Sequence, residues 1–163
     1  MTITIILSVA MMAGLFLLLW AAVALIQNKK FFTSAPKEAQ AVIQPKEERF
    51  PGAHTLGYAL AIFAILLMGG AVIYGCWNGI RSGYSFWQFF MRFLIMLWGL
   101  KLFDILFFDY YLLCRSNFFS HYYPEVADLY GPHLFGYNWK SHLLTGGLSL
   151  VAAAALAFIC TLF

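Results

Sequence analysis

The chain has 163 residues, 63% of them hydrophobic and 10% charged, with a mean hydropathy of +0.79. A soluble domain carries about 25% charged residues, so this composition excludes an ordinary water-soluble fold and points to a membrane protein. The formal charge of +3 has its bases mainly in one loop, which excludes a basic face that could track nucleic-acid phosphates.

Ile3 to Ile26 has no charged residue and would be about 36 Å long as a helix, enough to span a bilayer. No base precedes it and Gln27-Asn28-Lys29-Lys30 follows it, the reverse of a secretory signal, so a retained first span is expected. Residues 27–55 are polar and read as a solvated connector. The Pro and acids of SAPKE and QPKEE permit a short surface helix around Pro36 to Gln44. Leu56 to Trp77 is the second span, with Thr55 as N-cap. Gly57 and Ala61, then Ala71 and Gly75, are spaced four apart, as close helix packing requires. Asn78 to Ser85 is a tight turn.

The third apolar run, residues 87–113, differs from the others because it contains Arg92, Lys101, Asp104 and Asp109. Its thirteen Leu, Ile and Phe residues between Phe93 and Leu113 favour insertion. At roughly −0.3 to −0.6 kcal/mol each, they contribute about −6 kcal/mol. Lys101 and Asp104 near the centre cost about 2.5–3.5 kcal/mol each, so the helix is marginal unless its charged stripe faces other helices or trapped water. On an α-helix Asp104 lies about 60° to one side of Lys101 and Asp109 about 80° to the other, a face about 140° wide. Arg92 falls on the opposite side, where it is expected to snorkel to headgroups. Base before acid is the weaker order for a helical pair, so Lys101 has room for a second partner.

Residues 116–140 form a connector in which eight of 25 residues are Phe, Tyr or Trp. That content places it at the headgroup level, with a short helix over Pro124 to Gly131. Residues 141–163 are the fourth span. The bases count five in the first connector, one in the second and two in the third. Both termini are therefore expected outside, with 27–55 and 116–140 cytoplasmic. Cys76, Cys114 and Cys160 show no metal or disulfide spacing and read as small apolar residues.

These elements predict one all-α domain over 1–163, a multi-pass four-helix bundle with antiparallel neighbours in the bacterial cytoplasmic membrane. Lys101, Asp104 and Asp109 are its candidate ligand or ion site. Lys140 and His142 enter at matching depth from the fourth span. A transport or ligand-binding protein, or an accessory subunit of a transport complex, is the first expectation. Its partners would be membrane lipid, a small anionic ligand or a proton, and a second copy or another membrane subunit.

The alternative is an enzyme acting on a lipid or amphiphile at the cytoplasmic surface, with His142 or His133 as base and Arg115 or Lys140 holding an anionic group. A structural subunit is the third reading. No cofactor is expected; for a metal or haem the candidate ligands would be His54, Asp109 and His142, although no HEXXH or CXXCH is present. In size and span number the chain is similar to small multidrug exporters and to membrane glutathione-metabolising enzymes. The exporters carry an acid in the first span and the enzymes charges in the second, and this chain has neither.

Overall fold

A computed structural model describes residues 1–32 and 35–163. The chain is 78% helical, with no strand among the described residues. Helix α1 runs over Thr2–Trp20 and widens into a π-helix over Ala21–Ile26. After the short α2 (Lys37–Val42) come α3 (Ala53–Arg81) and α4, which spans Phe86–Phe103 and widens into a π-helix over Asp104–Leu113. Helices α5 (Phe118–Tyr122) and α6 (Trp139–Thr161) complete the chain. Three helices are long and apolar enough to cross a membrane: Thr2–Ile26, α3 and α6.

Local signals explain the boundaries. Gln27 ends α1 in the left-handed conformation, its N–H donating to the Ala22 carbonyl at 2.9 Å. Gly52, at φ +86°, precedes α3, and the Glu48 carboxylate accepts from the N–H groups of Gly52 and His54. An acid thus caps this N-terminus, as the helix dipole favours, and Thr55 lies inside the helix. Ser85 and Gln88 form a reciprocal capping box that starts α4.

Leu7 lies beside Gly75, Gly14 beside Met68 and Ile26 beside Gly57, so α1 and α3 run in opposite directions. Helix α1 also packs on α4, and α4 on α6. The inward face of α3 consists of Ala53, Gly57, Ala61, Ala64, Ala71, Gly75 and Gly79, which includes both predicted small-residue pairs. The approach is close: a Cβ on Gly57 would sit 2.7 Å from Ile26 Cγ1, and one on Gly79 would strike the buried Phe89 ring. Large apolar residues instead face outward, among them Ile62, Leu66 and Ile73 on α3 and Leu144, Val151 and Phe158 on α6. Small inside and large outside is the arrangement that lipid, rather than water, rewards.

The structure corrects four expectations. First, Cys76 and Cys160 form a disulfide with Cα atoms 5.7 Å apart, leaving Cys114 as the free, buried thiol. Spacing along the sequence is silent on this pair because 84 residues separate its members, and only the parallel course of α3 and α6 brings their ends together. Second, Arg92 does not snorkel: it is 3% exposed and points inward to the Gly75 carbonyl. Third, Pro124–Val126 is a single 3-10 turn where a short helix to Gly131 is predicted. Fourth, the first connector is folded rather than merely solvated. Phe32, Ala39 and Ile43 share a buried cluster with Leu112, Tyr123 and Val126. Lys46 fastens the two connectors, its Nζ donating to the Tyr122 carbonyl at 2.9 Å and to Glu125 Oε2 at 3.1 Å. The short helix predicted around Pro36 to Gln44 is present as α2; Ser34 of SAPKE lies outside the described residues.

The joined connectors give a pH expectation. Neither the Tyr123 nor the Tyr130 hydroxyl has a hydrogen-bond partner among the described residues. Burial raises the Tyr123 phenol, with Glu125 and Tyr130 adding to it, and burial pushes Tyr130 up to about 12. An unfolded tyrosine ionises near pH 10. The contribution of these neutral phenols is therefore full below about pH 10 and is lost as pH rises toward 12. Tyrosinate absorbance is expected to rise together with connector release, followed by limited proteolysis. Tyr130→Phe should leave neutral-pH stability within about 1 kcal/mol and blunt the alkaline step. An unchanged alkaline transition in that variant would remove the assignment.

Candidate functional site: two charged pairs on α4

Lys101 and Asp104 lie three residues apart where α4 changes from α to π geometry. Their side chains meet, Lys101 Nζ donating to Asp104 Oδ2 at 2.8 Å. The base-before-acid order does not prevent the pair from forming. No second partner of Lys101 is present among the described residues, so two of its three ammonium N–H donors are unassigned. Both side chains are largely withdrawn from the surface, at 21% and 29% exposure.

One helical turn further along, Asp109 Oδ2 meets Nε2 of His142 on α6 at 2.5 Å. His142 is buried, and its Nδ1 has no partner among the described residues. When Nε2 carries the proton and donates to Asp109, Nδ1 holds a lone pair available to a substrate or a proton. A carboxylate that orients an imidazole in this way suits proton transfer.

The π geometry brings the acids together. An α-helix would set Asp104 and Asp109 about 140° apart. Hydrogen bonds from i to i+5 widen the turn and bring residues five apart to roughly 50° of each other, onto one side of the helix. Both carboxylates accordingly line one partly open cavity of about 90 Å³. Its far wall includes Ala22 and Val23 from the widened end of α1, so the two π segments face each other across it. Phe32, Tyr130 and Tyr137 from the connectors also line it.

The bases also border a second space. Lys101 and His142 line an open groove of about 600 Å³ between α4 and α6, whose other walls include Leu94, Ile95, Trp98 and Ile105. Trp98 Nε1 donates to the Gly146 carbonyl across it at 3.3 Å. The paired charges therefore border both spaces, the acids at the cavity and the bases at the groove, while Lys101 and Asp104 also line a third pocket together with Leu97, Leu100 and Ser149.

The other predicted residues do not join them. Lys140 is exposed and makes no ion pair. Arg115 stacks on the Tyr110 ring at 5.5 Å, and His133 is exposed beside Gly131. His54 lies 3.5 Å from Glu48 and not at the Asp109–His142 pair. Among the described residues no three His, Cys, Asp or Glu side chains converge. Sequence reasoning missed Tyr130, Tyr137 and Trp98 as lining residues; the aromatic density of 116–140 was the available signal. No family model matches the chain, and no curated protein or solved structure is similar to it.

Proposed function

We propose that the chain is a four-helix-bundle membrane protein that binds or transports a small anionic ligand or a proton at the site formed by Lys101, Asp104, Asp109 and His142. In this reading α4 spans the membrane as well, third in chain order and sheltered between α1 and α6. Both termini and the 82–85 turn lie outside, and both connectors lie in the cytoplasm. Two features support this orientation. Seven of the eight bases in the connections lie in the two connectors, against Arg81 alone in the turn. The disulfide joins helix ends on the turn side, where an oxidising compartment preserves it.

The observation that carries the functional reading is that both charged pairs border open space inside the bundle. Ionisable groups this deep in a spanning helix are expensive to insert, and here they line pockets instead of filling a core. Lys101 would receive an anionic group from the groove, while Asp109 and His142 would pass a proton between groove and cavity. The Asp109–His142 contact also favours a second reading, an enzyme on lipid or amphiphile with His142 as base. That reading requires chemical turnover, and Asp109→Asn should remove it.

The test is reconstitution. Native protein in vesicles should dissipate an imposed proton or small-anion gradient, or show an anion-induced rise in Tm. Lys101→Met should lose that response while retaining helicity and the same oligomeric size. An equal response in the two proteins, or no flux and no rise in Tm with native protein, would overturn the proposal.

A further inference from the structure

Arg92 presents a separate problem. Its guanidinium has five N–H donors. Nη1 donates to the Gly75 carbonyl at 2.6 Å and Nη2 to the Tyr84 hydroxyl at 2.8 Å, leaving three donors, that on Nε included, without an acceptor among the described residues. The Tyr84 ring lies 4.3 Å from Cζ. Every one of these partners is neutral. The seven acids of the chain are Glu38, Glu47, Glu48, Asp104, Asp109, Glu125 and Asp128, all toward the connector end. The one nearest along the helix, Asp104, is twelve residues and about 18 Å away. A buried cation without a counter-charge is costly in a low dielectric, and none of these acidic side chains pairs with Arg92 among the described residues.

Beside Arg92 lies a cavity of about 450 Å³, lined also by Thr4, Tyr84, Trp87, Gln88 and Met91. Gln88 Oε1 is taken by the Ser85 N–H, which leaves its amide N–H groups to donate. Trp87, 69% exposed, carries a further donor at this level. Arg92 is the seventh residue of α4, about 9 Å from its start. With α4 spanning the membrane, that depth is the boundary between headgroups and acyl chains. Exposed Met91 gives the cavity an apolar edge.

We propose that this cavity holds the phosphate of one outer-leaflet phospholipid, with Arg92 as its counter-charge and the acyl chains running down the outside of α4. The site rests on the four-span placement and is independent of any role for Lys101. Phosphate accepts the donors of Arg, Trp and Gln together, and a tethered lipid reaches this depth without leaving the membrane. The bound lipid would supply the negative charge that the turn end of the protein lacks.

Native mass spectrometry of the full chain, purified in micelles doped with phosphatidylglycerol, tests this directly. One retained phosphatidylglycerol per chain is expected. Occupancy should fall about tenfold or more in Arg92→Gln and less in Arg92→Lys. Diacylglycerol, which lacks the phosphate, should not be retained, and inorganic phosphate should not displace the lipid. Lys101→Met should bind as the native chain does. If Arg92→Gln fails to fold, Thr4→Leu narrows the cavity without touching the guanidinium and should also lose the lipid. Equal retention in a folded Arg92→Gln or in Thr4→Leu, retention of diacylglycerol, or displacement by inorganic phosphate would overturn the proposal.

Discussion

Lys101→Met is expected to abolish the ligand or flux response and to lower stability in detergent by about 2–3 kcal/mol. The stability loss follows from leaving the Asp104 carboxylate unpaired. Breaking a fully buried pair costs about 3–5 kcal/mol, and the 21% and 29% exposure of these side chains reduces that figure. Asp104→Leu added to Lys101→Met should recover most of the stability, because a matched apolar pair suits this environment. It should not recover function. This divergence separates a functional lysine from one that merely fixes helix register. If the double variant regains both stability and activity, the pair is structural.

Loss of the Cys76–Cys160 disulfide is expected to have the largest effect on stability. It closes a loop of 84 residues. In the chain-entropy model such a loop contributes about 4 kcal/mol, with membrane insertion already restricting the unfolded chain and lowering the value. Reduction of the purified protein and the Cys76→Ala/Cys160→Ala variant should lower Tm by similar amounts, and reductant should then have no further effect on the variant. Thiol counting gives an independent check: denatured, unreduced protein should alkylate once, at Cys114, and three times after reduction. Three alkylations without reductant would show that the bridge is absent, and would also remove one of the two supports for the turn end lying outside.

The long helices were legible because apolar runs announce themselves. Residues 3–26, 56–77, 87–113 and 141–163 correspond to helices over Thr2–Ile26, Ala53–Arg81, Phe86–Leu113 and Trp139–Thr161. The second helix was read too short at both ends, since Glu48 caps it from outside and Arg81 ends it beyond the apolar stretch. The candidate site was legible as a list of charges but not as an arrangement. A helix taken at a constant 100° per residue keeps Asp104 and Asp109 apart, and nothing in the sequence marks the change to i→i+5 bonding that brings them onto one side.

Long-range partners were less accessible. Asp109 was placed near His142 by matching depths, but the same reasoning admitted Lys140, which lies exposed one helical step from the pair. Its angle on an isolated helix turns Arg92 outward to snorkel, whereas the close approach of α3 presents the Gly75 carbonyl and draws the side chain inward. The polar connector looked solvated because its buried residues, Phe32, Ala39 and Ile43, are too widely spaced to form a visible apolar run.

The most direct measurement is the solid-state NMR distance between Lys101 Nζ and the Asp104 carboxyl carbon, in selectively labelled protein embedded in lipid bilayers. A separation within about 4 Å, together with protection of the ammonium from a water-soluble relaxation agent, is expected for a charged pair inside the membrane. A freely exchanging ammonium with no coupling to Asp104 would contradict it.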